Sequence, residues 1–138
     1  MIQFKKLNDA AKIPQRQTPG AGGFDLHTIK DVLVPPERWD ILWTGIACAI
    51  PEGHVGLIRP RSSLAVRYGV DVLAGVIDSD YRGEIKVLFM NLGYEGVKLE
   101  VGDRIAQLLV VPVITESMEV KDLPLTFRDD GGFGSTGK

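Results

Sequence analysis

Cysteine and histidine are scarce in this chain of 138 residues, which contains one cysteine and two histidines. A single cysteine excludes a disulfide within the chain, and two histidines without metal-ligand spacing to it argue against a structural zinc site. Cys48 lies in a run of small apolar residues with no base near it in sequence. We therefore expect a buried strand residue at this position rather than a nucleophile.

Long hydrophobic runs and an excess of either charge are also missing. No run approaches the roughly 20 apolar residues of a membrane span, and the first residues lack the apolar core of a secretory signal. The net charge is −2 and the isoelectric point is about 5.7, which excludes the basic surface typical of general nucleic-acid or membrane binders. We expect an intracellular, soluble protein, cytoplasmic or nuclear, that holds any anion through local charge.

Short apolar or alternating runs, separated by Gly, Pro and Asp, make up most of the chain. They are residues 23–28, 31–34, 41–50, 54–58, 70–77, 84–91 and 104–113. Evenly spaced runs of strand length predict one all-β domain, a sandwich or a barrel. Residues 62–68 favour one short helix, because Ser62 suits an N-cap and Gly69 suits a C-cap.

A basic residue followed by two hydroxyls opens that helix. The free N–H groups and the positive dipole end of a helix N-terminus favour phosphate, and Arg61, Ser62 and Ser63 add further donors. The alternative is a plain serine N-cap beside a surface arginine. Taken alone, this motif favours the plain serine N-cap over a phosphate site.

The apolar run of residues 70–77 leads directly into Asp78, Asp80 and Tyr81, and a second strand leaves after Gly83. This pattern predicts a β-hairpin with a chemically dense tip. Aspartates are common in turns for structural reasons alone. A large aromatic ring such as Tyr81 is not required by a polar turn, so it favours a functional tip.

Two further segments each allow two interpretations. Gln107 interrupts an apolar strand, so its amide is either satisfied within the fold or directed at a ligand. The glycine-rich end, residues 128–138, carries an arginine, a phenylalanine and two hydroxyls. It either wraps an anionic ligand or is a disordered terminus, and it lacks the residue order of a P-loop.

Five segments, taken in order, are similar to the five motifs of the trimeric dUTPase family. They are residues 21–26 (AGGFDL), 60–65 (PRSSLA), 75–83 (GVIDSDYRG), 102–107 (GDRIAQ) and 128–137 (RDDGGFGSTG). The similarity covers almost the whole chain, and five motifs in order are far more specific than any one of them. The resemblance implies a distorted jelly-roll β-barrel or sandwich with one short helix, residues 1–127, followed by a flexible C-terminal arm, residues 128–138.

The resemblance also implies an activity, the hydrolysis of dUTP to dUMP and pyrophosphate, which limits uracil in DNA and supplies dUMP for dTMP synthesis. Asp78 would be the general base that deprotonates the water attacking the α-phosphorus. Tyr81 would pack under the deoxyribose and exclude ribonucleotides. Main-chain groups would read uracil near Gly75, Val76, Ile77 and Lys86.

Contacts to the phosphates are implied in the same way. In the folded domain, Arg61, Ser62 and Ser63 would contact phosphates, and Gln107 would contact a phosphate or the catalytic water. In the arm, Arg128, Ser135 and Thr136 would contact the β- and γ-phosphates, and Gly134 would also bind the substrate. Phe133 would stack over uracil when the arm closes. Mg²⁺ would be held mainly by the triphosphate and by water, with Asp25 orienting a metal-bound water. Each site would be shared among the subunits of a homotrimer, with no nucleic-acid or membrane partner.

Three residues depart from the family pattern. Ser63 stands where many members have glycine. Asp129 and Asp130 follow Arg128 where the usual pattern has glycine and a small or variable residue. Two acids beside this arginine should weaken its attraction for the γ-phosphate.

Two alternatives share the implied fold. A dCTP deaminase carries a glutamate three residues before the asparagine that closes the second hairpin strand, and this position is Leu88 here. A non-catalytic regulatory module is the other alternative. The presence of Asp78, Tyr81 and the arm motif together favours an enzyme.

Overall fold

The computed structural model describes residues 1–131, which contain ten strands and one helix. In chain order they are β1 Gln3–Lys6, β2 Phe24–His27, β3 Val32–Val34, β4 Arg38–Ala49, β5 His54–Arg59, α1 Ser62–Tyr68, β6 Val70–Leu73, β7 Val76–Ile77, β8 Glu84–Asn91, β9 Val97–Leu99 and β10 Arg104–Pro112. The predicted all-β fold with one short helix is confirmed. No helix in residues 1–131 has the length and apolar character that crossing a membrane requires.

Residues 1–131 form two four-stranded sheets and a two-stranded ribbon. The first sheet has the order β1-β4-β8-β6, the second has the order β2-β10-β5-β7, and β3 pairs with β9. The paired strands are antiparallel throughout. Two antiparallel sheets whose neighbours are mostly distant in sequence agree with the predicted distorted jelly roll.

Alternation along β8 shows how the sequence builds the core between the sheets. Ile85, Val87 and Phe89 are fully buried, while Lys86 between them is exposed. Burial of each large apolar side chain stabilises the fold by about 1.5–3 kcal/mol. Buried side chains of both sheets form one cluster, which includes Leu26, Leu42, Ile58, Val87, Phe89, Ile105 and Leu108. Cys48 belongs to this cluster, so its predicted burial is confirmed.

The helix matches its predicted range but not its predicted N-cap. Gly69 is the C-cap, with a left-handed φ of 68° and its N–H donating to Ala65 O at 2.9 Å, as expected. The N-cap position is held by Arg61 rather than Ser62, because the Arg61 backbone is extended while its carbonyl already accepts from Ala65 N. Within residues 1–131 no side chain caps this end of the helix.

The predicted continuous strand over residues 70–77 is wrong. It is broken at Ala74 and Gly75, where φ is 56° and 87°. The residues before the break form β6 and pair with β8, whereas those after it form β7 and pair with β5 of the other sheet. The chain therefore changes sheets between Leu73 and Val76, and only β6 and β8 form the predicted antiparallel pair.

Residues 113–131 contain no strand or helix, and nearly all of their side chains are exposed. The exposed apolar residues here are Val113, Ile114, Met118, Val120, Leu123, Leu125 and Phe127. Exposed apolar stretches of this kind are common at interaction sites. The division into a domain of residues 1–127 and an arm of residues 128–138 stays a prediction.

Candidate active site

Asp25 holds two arginines at one end of the second sheet. It lies on β2 and is only 8% exposed. Arg61 Nε lies 3.6 Å from its Oδ1, and Arg104 Nη1 donates to its Oδ2 at 3.3 Å. One carboxylate shared by two guanidinium groups leaves a net positive charge, which suits an anionic ligand. We call Asp25, Arg61 and Arg104 the Asp25 cluster.

Gln107 connects this cluster to the neighbouring segments. It lies on β10 opposite Asp25 on one side and Arg59 on the other. Its side-chain amide donates to Pro60 O at 3.0 Å, and its oxygen lies where a Cβ on Gly23 would be. Gln107 therefore fixes three of the five sequence motifs to one another. Its amide is at least partly satisfied within the fold, and its contact with phosphate stays a prediction.

The start of α1 lies beside the Asp25 cluster. Ser62 and Ser63 are exposed at this end of the helix. A cavity of about 310 Å³ opens next to them and is lined on several sides by cations. Its charged lining residues are Arg61, Arg67, Lys98, Asp103 and Arg104. Positive charge thus surrounds the residues predicted to bind phosphate.

The loop between β7 and β8 carries Asp78 and Tyr81. Tyr81 N donates to Asp78 O at 3.1 Å and closes a tight turn. The Tyr81 hydroxyl donates to Glu84 O at 3.0 Å, and the ring packs over Gly83, where a Cβ would collide with it. Both the Asp78 carboxylate and the Tyr81 ring are exposed. The turn therefore presents both predicted functional groups to solvent.

The segment predicted to read uracil begins at the sheet change. Ile58 N donates to Gly75 O at 2.7 Å, and a Cβ on Gly75 would lie 2.9 Å from Ile58 O. Val76 and Ile77 form β7, the last strand of its sheet, so one edge of β7 faces away from β5. Lys86 lies on β8, with its ammonium 4.4 Å from the centroid of the Trp43 ring. Base recognition by these residues stays a prediction.

The Asp25 cluster and the Asp78–Gly83 loop share no polar contact within residues 1–131. No hydrogen bond or ion pair of residues 1–131 joins the loop to Asp25, Arg61, Arg104 or Gln107. The structure brings together the motifs around residues 21–26, 60–65 and 102–107. The start of the 75–83 motif joins the same sheet through β5, whereas residues 78–83 make no described polar contact with the cluster. The sequence predicted no role for Arg104, although this residue lies inside the 102–107 motif.

His27 lies two residues after Asp25 on β2. Its Nδ1 is buried and has no hydrogen-bond partner among residues 1–131. Burial lowers the pKa of His27, the charge of Lys12 lowers it further, and the Asp25 carboxylate opposes both effects. His27 is therefore held in its neutral form at pH 7, so it adds no charge to the cluster.

A protein-built metal cage is not found in the described part of the chain. No group of three His, Cys, Asp or Glu side chains in residues 1–131 could hold a metal ion. Asp25, the predicted partner of a metal-bound water, is paired with two arginines. The role of Asp25 toward a metal-bound water stays a prediction.

The described contacts of the arm are local hydrogen bonds among residues 126–131. Arg128 Nε donates to Gly131 O at 2.8 Å, and Asp129 has a positive φ of 46°. The predicted contacts of Phe133, Gly134, Ser135 and Thr136 lie outside the described residues. The role of Arg128 at the γ-phosphate stays a prediction.

Comparison with known proteins gives one consistent result. The dUTPase family model matches residues 9–137. A deoxyuridine 5'-triphosphate nucleotidohydrolase of Nautilia profundicola is 49% identical over 140 residues, covering 99% of each chain. The Staphylococcus bacteriophage 80alpha dUTPase, solved with dUpNHpp, is 28% identical with a TM-score of 0.92, covering 100% of this chain and 99% of its own.

A second solved structure concerns a metal. A variant dUTPase from phage phi11 of S. aureus, described for its coordination of a structural Mg(II) ion, is 25% identical with a TM-score of 0.82. The match covers 89% of this chain and 98% of the phage protein. The family model spans nearly all of the sequence, and the similar proteins match over nearly their full length. The chain therefore belongs to the dUTPase family.

Proposed function

We propose that this chain hydrolyses dUTP to dUMP and pyrophosphate by in-line attack of water on the α-phosphorus. The observation that carries the proposal is the tight turn in which Asp78 and Tyr81 are both exposed, in a chain that belongs to the dUTPase family. In a cell this reaction would limit uracil in DNA and supply dUMP for dTMP synthesis.

Asp78 is the proposed general base. An exposed carboxylate is ionised at pH 7 and can accept a proton from a water that it also orients. Because phosphoryl transfer involves little covalent work by the protein, positioning of this water is the main task. Asp80, two residues away and also exposed, has no proposed role in the reaction.

Tyr81 and the edge of β7 are the proposed readers of the nucleoside. The Tyr81 ring, tied down by its hydroxyl, offers a flat apolar surface to a deoxyribose and no partner to a 2′-hydroxyl. Main-chain groups at Gly75, Val76, Ile77 and Lys86 would pair with uracil, because the outer edge of β7 faces away from its sheet. Backbone recognition requires no diagnostic polar side chain in this segment.

The Asp25 cluster and the start of α1 are the proposed phosphate site. Arg61, Ser62, Ser63 and Gln107 would contact phosphates from the folded domain, and Arg104 adds positive charge. Arg128, Gly134, Ser135 and Thr136 would add contacts from the arm, with Phe133 stacking on uracil. Charge-assisted hydrogen bonds from guanidinium groups are the strongest polar contacts available for such a ligand.

The proposed substrate is the magnesium complex of dUTP. When bound, Mg²⁺ would supply positive charge that offsets the charge developing on the leaving pyrophosphate. The lack of a cage in residues 1–131 supports a metal carried by the substrate. Asp25 would orient a metal-bound water through the carboxylate lone pairs that its two arginines do not occupy.

A homotrimer with shared sites is also proposed. Two observations support it: no hydrogen bond or ion pair of residues 1–131 joins the Asp78–Gly83 loop to the Asp25 cluster, and residues 113–127 expose many apolar side chains. Both are satisfied if the loop of one subunit faces the cluster of another and the apolar segment lies on a neighbour.

Pyrophosphate release tests the reaction. We expect release from dUTP in the presence of Mg²⁺, and little release from UTP, dTTP or dCTP or after chelation of the metal. Ammonia release from dCTP would instead identify a deaminase and defeat the proposal.

Asp78→Asn tests the assignment of the base. The amide keeps the shape but cannot accept the proton, so we expect turnover to fall by at least about 10²-fold. Binding of a non-hydrolysable dUTP analogue should persist. Asp80→Asn is the matched control, since it removes an exposed carboxylate from the same turn, and it should keep its activity. Full activity in Asp78→Asn would exclude Asp78 as the base.

A further inference from the structure

The loop that carries Asp78 and Tyr81 has little apolar anchoring of its own. Asp78, Asp80, Tyr81 and Arg82 are all exposed. Exposed loops with few buried contacts open at low free-energy cost. A catalytic carboxylate nevertheless has to be held to a fraction of an ångström. The polar contacts of this loop therefore decide how well it is positioned.

Arg82 closes the loop from within. Its Nη1 donates to Ser79 O at 2.7 Å and to Tyr81 O at 3.0 Å. These charge-assisted bonds add to the bond from Tyr81 N to Asp78 O. Both hydrogen bonds of Arg82 thus stay within the turn.

Glu84 provides the anchor outside the loop, at an irregularity in β4. The pairing of β4 with β8 shifts between Trp43–Lys86 and Ala47–Glu84. This bulge takes the Gly45 N–H out of the ladder, and Glu84 Oε1 accepts from it at 2.7 Å. Gly45 has a φ of +64°, and a Cβ there would lie 2.9 Å from the Ala11 Cβ.

The same residue also holds the tyrosine. The Glu84 carbonyl accepts from the Tyr81 hydroxyl at 3.0 Å, while its carboxylate binds the bulge. Through these two bonds Glu84 connects the Tyr81 ring to a main-chain position buried in the first sheet. Loss of the carboxylate would leave the Gly45 N–H without this acceptor and free the start of β8 to shift.

We propose that Glu84 is a positioning residue that locks the 78–83 loop onto the β4 bulge, with Arg82 closing the loop internally. This inference rests on the proposed function, because it gives Asp78 and Tyr81 their roles. It adds that base placement and sugar discrimination depend on one carboxylate that does not touch the substrate.

Glu84→Ala and Glu84→Gln test the proposal together. We expect Glu84→Ala to lower kcat for dUTP by about 10–100-fold, since a misplacement of about 1 Å can have an effect of this size. Its preference for dUTP over UTP should also fall, because the Tyr81 ring loses its fixed position. Glu84→Gln keeps an acceptor for Gly45 N, so it should retain most of kcat and most of the preference for dUTP over UTP. Glu95→Ala, at an exposed glutamate, is the matched control and should match the parent.

Amide hydrogen exchange over residues 78–85 provides a measurement independent of activity. Exchange should quicken in Glu84→Ala and not in Glu84→Gln or Glu95→Ala, while the cooperative unfolding transition persists. Quicker exchange with unchanged kcat and unchanged discrimination would overturn the proposal, as would unchanged exchange. Full activity of Asp78→Asn, in contrast, would defeat the proposed function whatever these variants do.

Arg82→Met is the second variant, used if Glu84→Ala does not fold. It keeps the apolar stem but removes both bonds to the Ser79 and Tyr81 carbonyls. We expect quicker exchange over residues 78–83 and a lower kcat, with partial recovery in Arg82→Lys. Normal kcat and discrimination in a folded Arg82→Met would overturn the part assigned to Arg82.

Discussion

The Asp25 cluster and the 74–83 segment are both proposed to hold the ligand, and they are built in different ways. In the cluster, side chains from β2, β10 and the start of α1 meet through long-range contacts around a nearly buried carboxylate. In the 74–83 segment, the contacts involve mainly the backbone, both within the turn and to β5, with glycine at 75 and 83 where no Cβ fits. One region depends on charge, the other on conformation.

This difference follows from what each region is proposed to recognise. Phosphate oxygens carry charge and are matched by guanidinium groups, which need a fixed counter-charge to stay in place. A base edge offers neutral donors and acceptors, which a strand edge matches without charge. We therefore expect charge substitutions to lower the stability of the fold mainly in the first region, and changes of backbone freedom to lower it mainly in the second.

Asp25→Asn should have the largest effect on stability. It leaves two guanidinium groups facing each other without their shared anion. Breaking a fully buried pair costs about 3–5 kcal/mol, and because Arg104 is 41% exposed we expect a smaller loss, about 2 kcal/mol. Urea unfolding of the variant, with the exposed Asp9→Asn as control, measures it.

Combining Asp25→Asn with Arg61→Gln sharpens that test. If the carboxylate chiefly balances the arginines, the double variant should lose less stability than the two single losses added together. Strict additivity would show that Asp25 does not act through Arg61.

Gly75→Ala should disturb the second region without changing any charge. Its φ of 87° is unfavourable for alanine, and the new methyl would press on Ile58 O. Strain of this kind costs about 1–3 kcal/mol. We also expect a raised KM for dUTP, because β7 would shift. A normal KM and normal stability would show that this backbone position is not constrained.

Ala74→Gly should have the smallest effect, and the opposite sign. Ala74 already has a left-handed φ of 56°, which costs a non-glycine residue about 1–2 kcal/mol. Glycine removes that strain, but its greater conformational freedom in the unfolded state lowers stability by about 0.5–1 kcal/mol. A net gain in unfolding free energy below about 1 kcal/mol is expected by thermal denaturation, and a clear loss would contradict the strain assigned to Ala74.

The sequence predicted the parts of the fold that depend on local pattern. β8 has the predicted bounds, and the C-cap at Gly69 follows from its conformational freedom. The short strands β1 (QFKK) and β9 (VKL) were missed, because their lysines leave no apolar run to mark them. The change of sheets at Ala74 and Gly75 was also missed, since an unbroken apolar run gives no sign of which sheet each half joins.

The site was predictable as residue types but not as an arrangement. Arg61 and Asp25 each lie in a recognisable motif, yet their contact depends on strand pairing that brings residues 25, 61 and 104 together. Arg104 and Glu84 gave no separate signal, because an arginine or glutamate at the start of a strand is common at protein surfaces. Their partners are set by tertiary structure alone.

The change of sheets at Ala74 and Gly75 couples selectivity to the interior of the protein. The residues proposed to bind uracil lie on both sheets, because β7 belongs to the second sheet and β8 to the first. The spacing between the sheets therefore sets the position of β7 relative to β8. Buried side chains such as Phe89 and Ile58 determine that spacing. Substitutions in the core should therefore affect substrate specificity as well as stability. A core substitution far from the proposed site is then expected to alter specificity.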